Sequence, residues 1–76
     1  MKEFFDYLVK NLVDNPEAVE IHIVEGEGGT LIEVCVAPDD IAKVVGRKGR
    51  IINSLRILAM TVGARFGKKV RLELVD

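Results

Sequence analysis

A chain of 76 residues, 49% apolar and 30% charged, is enough for one small domain with a core of its own, which argues against a disordered protein. A lone Cys35 excludes an internal disulfide, Asp6 and Lys10 interrupt any leader-like apolar run near the start, and no stretch reaches membrane-spanning length, so a soluble, cytoplasmic protein that does not meet the membrane is expected. The formal net charge of −1 hides a division: residues 1–42 carry two bases against ten acids, and residues 43–76 nine bases against two acids, a polarity that points to a polyanion-binding face.

Along the chain, Phe4, Phe5, Leu8, Val9 and Leu12 share one stripe of a helix predicted over residues 2–13. Asp14-Asn15-Pro16 ends it, because proline disfavours helical geometry in the residue before it. From Val19 the period falls to two: Val19, Ile21 and Ile23 take one face of a strand, Glu20 and His22 the other. Gly26-Glu27-Gly28-Gly29 reads as a hairpin turn into a second strand whose Thr30, Ile32, Val34 and Val36 share a face.

Pro38-Asp39-Asp40 opens a short helix, with either aspartate a candidate cap and Ile41, Val44 and Val45 facing inward. Gly46 breaks this helix. A longer one follows from Arg50 to Phe66, its expected inward stripe being Ile51, Ile52, Leu55, Leu58, Ala59, Val62 and Phe66, with Gly67 placed to stop it. Val70, Leu72 and Leu74 then alternate with Arg71 and Glu73 as a last strand. The predicted order α-β-β-α-α-β makes an α+β domain in two layers: a three-stranded mixed sheet, its hairpin antiparallel and its last strand returning in parallel, with all three helices on one face.

The segment that carries chemistry is Val44 to Leu55. Gly46 and Gly49 stand three apart between two helical patterns, with two cations, Arg47 and Lys48, between them. Glycines there let the chain turn tightly and let a phosphodiester backbone approach without a Cβ in the way. The helix beginning at Arg50 points its positive end and unpaired N–H groups at the same spot, and Arg50 adds a third charge. Val45, Ile51 and Ile52 flank the loop as apolar neighbours for bases. A nucleotide-binding P-loop does not fit, since it needs four residues between its glycines, a following Lys-Ser/Thr, and a preceding strand.

The run Val45-Gly46-Arg47-Lys48-Gly49-Arg50-Ile51-Ile52 with Leu55 resembles the KH signature, whose loop clamps about four nucleotides of single-stranded backbone. The element order resembles the type II, prokaryotic KH fold, and the layout of the whole chain is similar to the small bacterial RNA-binding proteins of the KhpA family. Val45 and Leu55 stand where isoleucine is commoner in the motif. The resemblance implies binding of single-stranded RNA through Val45, Gly46, Arg47, Lys48, Gly49, Arg50 and Ile52. It also implies a role as RNA chaperone or post-transcriptional regulator, homodimers, a heterodimer with a KhpB-like partner, and a link to cell elongation and peptidoglycan homeostasis.

The remaining residues offer no catalytic, cofactor or metal site. His22 stands alone on a polar strand face, and Cys35 reads as a packed thiol with no base beside it. An enzyme is therefore not expected. Tyr7 reads as surface, and Lys68, Lys69 and Arg71 as solvated charge that adds to the positive field. On the long helix, Asn53, Ile57, Met60 and Ala64 form a second seam off the inward stripe, expected to pair with a second copy. Two other readings stand beside the RNA clamp: a protein-interaction module in which RNA is incidental, and an accessory factor acting on structured ribosomal RNA.

Overall fold

The computed structural model describes residues 1–75. Its elements are α1 (Lys2–Lys10), β1 (Glu20–Gly26), β2 (Gly29–Cys35), α2 (Ile41–Val45), α3 (Arg50–Arg65) and β3 (Val70–Val75), the expected α-β-β-α-α-β order. β1 and β2 form an antiparallel hairpin, with Ile21 opposite Val34 and Ile23 opposite Ile32. β3 lies parallel to β2, with Thr30 opposite Val70 and Ile32 opposite Leu72, so the strand order is β1-β2-β3 and β3 has an open outer edge. Phe5, Val9, Val44, Ile52, Leu55 and Ala59 from the helices meet Ile21, Ile32, Val34, Val70 and Leu72 from the sheet in a single buried cluster. The helices therefore cover one sheet face. The other carries Glu20, His22, Val24 and Arg71 into solvent.

α3 lies closely against β3, and Gly63 makes that possible. A Cβ there would stand 2.5 Å from Val70 Cγ2 and 2.9 Å from the Lys68 carbonyl oxygen. The helix stops as the sequence suggests: Gly67 turns left-handed (φ 68°), its N–H donates to the Ala64 carbonyl, and the Lys68 N–H donates to that of Gly63.

Several expectations need correction. α1 ends at Lys10 rather than residue 13, where the Asn11 side chain donates to the Tyr7 carbonyl and its backbone N–H tightens onto Tyr7 and Leu8. Strand β1 begins one residue after Val19 and β2 ends one before Val36. Phe4, Leu58 and Phe66, placed on inward stripes by spacing, are 43%, 39% and 71% exposed. A three-stranded sheet gives the helices only a narrow floor, so the outer parts of each apolar stripe overhang it.

The aspartates before α2 do not cap it, because neither side chain reaches its N-terminal amides. Asp40 is instead 2% exposed and turned away, its carboxylate accepting from the backbone N–H groups of Asp14 (3.1 Å) and Asn15 (3.0 Å). Lys43 completes the cluster, 3.3 Å from Asp14 and 3.6 Å from Asp40. The Asp14 and Asn15 amides, outweighing the opposing effect of burial and helped by Lys43, hold the Asp40 carboxyl below its ordinary value. The ion pair with Asp14, then that with Asp40, holds the Lys43 ammonium above its own. A carboxylate with a lowered folded pKa contributes stability that is present above its unfolded value and lost as pH falls through the folded one. Asp40→Asn is accordingly expected to lower the melting temperature at pH 7 by several degrees, and to flatten the fall of melting temperature with acid below about pH 4, as followed by circular dichroism.

Candidate nucleic-acid interface

α2 is only five residues long and ends because Gly46 takes φ 77° and ψ 174°, a conformation essentially restricted to glycine. A side chain there is excluded by space as well, since its Cβ would stand 2.6 Å from Ile51 Cγ1. Gly49 is left-handed (φ 75°) but has room, its nearest neighbour for a Cβ being Asn53 Nδ2 at 3.9 Å. Between them Lys48 also adopts the left-handed form (φ 58°), the one non-glycine residue to do so among those described. Three left-turning residues within four positions make a tight, raised loop.

The loop's hydrogen bonds leave a defined gap. The Gly46 N–H ends α2 by donating to the Ala42 carbonyl, and the Gly49 N–H donates to that of Gly46. The Arg47 and Lys48 amides have no backbone acceptor among the described residues. Directly behind them starts α3, sixteen residues long, whose N-terminus receives no side-chain cap. Arg47, Lys48 and Arg50 are exposed around that end, and α3 itself contains no acidic residue. Free amides, a helix N-terminus and three cations thus converge on one surface, an arrangement suited to holding phosphate oxygens.

The apolar residues expected at the site divide. Val45 and Ile51 are half-buried, Ile51 lying against Gly46 of the loop. Val44 is fully buried and Ile52 only 5% exposed, so these two form the floor that supports the loop rather than a surface for bases. Lys43 is engaged by Asp14 and Asp40 and stands apart from the cationic group. Arg56 was not singled out by the sequence, because it falls between the two stripes of α3. Its guanidinium donates to the Leu72 carbonyl on the open edge of β3 (3.4 Å) and to Asn53 Oδ1 (3.2 Å), and lies 3.5 Å from Glu73. It joins the face of α3 beyond the loop to the free edge of the sheet.

The seam on α3 is accessible: Ile57 and Met60 are 59% and 54% exposed, with Asn53 and Ala64 exposed beside them. Cys35 is half-buried on the open sheet face, where burial, then Glu20 and Glu33, push its thiol up, a setting for an inert cysteine. His22 meets Glu20 at 3.1 Å, and no group of three potential metal ligands occurs among the described residues. No helix among them is long and apolar enough to cross a membrane.

A glycine-bounded cationic loop between two helices, set on a three-stranded mixed sheet in this order, defines a type II KH domain. The description KhpA/KhpB, KH domain, matches residues 2–74, and the chain belongs to that family. The RNA-binding protein KhpA of Chlamydia trachomatis is 45% identical over all 76 residues and 97% of its own length. Its namesake in Aquifex aeolicus is 37% identical over the whole chain and 96% of its length, and that of Borreliella burgdorferi 36% identical over 97% of the chain and 90% of its length.

The loop geometry sets an order of tolerance. Gly46→Ala is expected to lower the melting temperature more than Gly49→Ala, because the first adds a collision with Ile51 to backbone strain of about 1–3 kcal/mol and the second meets strain alone. Lys48→Gly should melt above Lys48→Ala, since glycine relieves the left-handed strain. Thermal denaturation of the four variants checks both rankings.

Proposed function

We propose that the protein binds single-stranded RNA by clamping its backbone at the Gly46-Arg47-Lys48-Gly49 loop. The observation that carries this reading is the convergence of the open Arg47 and Lys48 amides, the uncapped start of α3, and the Arg47, Lys48 and Arg50 charges on one exposed surface. The RNA-binding name borne by full-length relatives supports it. Phosphates sit on the loop while bases lie towards Val45. Two or three such contacts give a shallow salt dependence, with log K falling against log salt at a slope of about −2 on the single-strand scale. Work as an RNA chaperone or post-transcriptional regulator in the cytoplasm, with the effects on cell elongation and peptidoglycan homeostasis that the family resemblance implies, would draw on this one activity.

The α3 seam favours self-association. The spacing 53-57-60-64 reads the same in both directions, so a two-fold axis between Ile57 and Met60 sets Ile57 of one copy on Met60 of the other, and Asn53 on Ala64. The same face suits a KhpB-like partner, in line with the joint family description. A homodimer presents two loops and gains affinity where both reach one RNA.

Fluorescence polarisation with a labelled single-stranded RNA tests the clamp. Arg47→Asp/Lys48→Asp is expected to weaken binding by at least about tenfold while circular dichroism stays unchanged. Equal binding by wild type and variant would instead favour the protein-interaction reading. For the seam, light scattering should give a dimeric mass for wild type and a monomeric one for Met60→Glu; a monomeric wild type ends the dimer reading.

A further inference from the structure

α3 carries three neutral polar side chains, and two of them turn back into the helix. The Ser54 hydroxyl donates to the Arg50 carbonyl (2.9 Å) and the Thr61 hydroxyl to that of Ile57 (2.8 Å). Asn53 does not. Its amide oxygen accepts from Arg56 (3.2 Å), whose guanidinium is held at two further points, on the Leu72 carbonyl (3.4 Å) and on Glu73 (3.5 Å). Arg56 is thus tied to the edge of β3, and Asn53 is tied to Arg56.

A guanidinium has donors and no acceptor, so the oxygen of the Asn53 amide has to be the atom that faces it. The Nδ2 group is thereby turned towards the loop. It stands 3.9 Å from the place a Gly49 Cβ would take, and its hydrogens have no acceptor among the described residues. Gly49 is left-handed (φ 75°), as Lys48 is, but a Cβ there would meet nothing closer than ordinary contact. The space over Gly49 is therefore open, with bare backbone on one side and an unused donor on another. Arg47, Lys48 and Arg50 adjoin it along the chain.

We infer that Asn53 recognises ribose: its Nδ2 group donates to the 2′-hydroxyl of a nucleotide whose phosphate is seated at the loop, and Arg56 is the positioning residue that aims it. The inference rests on the loop being the phosphate clamp. Phosphate already finds three cations and two open amides there, so a neutral donor adds little to that hold. What it adds is a contact to an uncharged sugar oxygen, the group by which a protein tells RNA from DNA. A sugar can come close because Gly49 has no side chain. Asn53 ends the α3 seam on the loop side, where it stands opposite Ala64 of a second copy. A methyl group competes for no hydrogen bond, and a strand seated at the loop does not pass Ile57 or Met60. Dimer and ribose contact are compatible.

The test uses full-length protein with a labelled oligouridine of about twelve nucleotides and its 2′-deoxy counterpart, which differ only at the sugar. Wild type should favour the RNA by about three- to tenfold, the worth of one neutral hydrogen bond. Asn53→Ala should abolish that preference by weakening RNA alone, with the deoxy affinity, the salt slope and the light-scattering mass unchanged. Arg56→Lys keeps the charge without the three-point fork, and should narrow the preference while circular dichroism stays that of wild type. Equal affinity of wild type for the two strands overturns the inference. So does an equal loss on both strands in Asn53→Ala, which would make Asn53 a phosphate contact or a structural residue. A full preference retained by Arg56→Lys removes the positioning role. Arg47→Asp/Lys48→Asp reports on the loop separately: undiminished binding of both strands removes the clamp, while the ratio between strands in Asn53→Ala still judges Asn53.

Discussion

The placement of the loop depends on one buried carboxylate. Asp40 sits at the junction between the sheet and the two helices that frame Gly46–Gly49, and it draws in the amides of Asp14 and Asn15 from the connection between α1 and β1. Those amides follow the end of a helix and would otherwise have to face water or go unpaired. By satisfying both, Asp40 fixes the chain after α1 against the start of α2, and Lys43 closes the arrangement from solvent. A helix of five residues has little stability of its own, so α2 needs such an anchor. The orientation of α2 then decides where Gly46 turns the chain out.

From that fixed start the loop follows by exclusion. Gly46 cannot continue α2 and cannot carry a side chain against Ile51. Lys48 is held left-handed although it is not glycine, a conformation that costs about 1–2 kcal/mol and persists because both flanking helices are packed down. A strained cation at the tip, with its own amide open, is difficult to explain by packing, since Arg47 and Lys48 bury nothing. Backbone strain kept at an exposed, charged position accords with a surface shaped for an anion.

Much of this was legible in the sequence for a physical reason: strands and helices reveal themselves through period, and here the period shifts cleanly from 3.6 to 2 and back. Element order, strand pairing and the glycine-bounded cationic loop all follow from such local patterns. What local patterns do not carry is distance. The Asp40 contact spans about 25 residues, so from the sequence it looked like a helix cap, the commonest use of an aspartate beside a helix. Gly63 gave no sign that a strand would press on it, because only the close approach of α3 to β3 gives its missing side chain a purpose. The exposure of Phe4, Leu58 and Phe66 likewise depends on the width of the sheet beneath them, which spacing along a helix does not encode.

Charge shows the same gap between chain and fold. Along the sequence the bases form one block; in space, ion pairs with Asp14, Glu25 and Glu73 remove three of them and α3 separates the rest into two ends. The acids of the first half lie in part on the open sheet face, at Glu20 and Glu33, opposite the helices. A polyanion is therefore attracted towards the helical layer and repelled from the sheet, although the molecule as a whole is close to neutral. Near-neutrality also limits non-specific attraction, which grows with the number of phosphates neutralised.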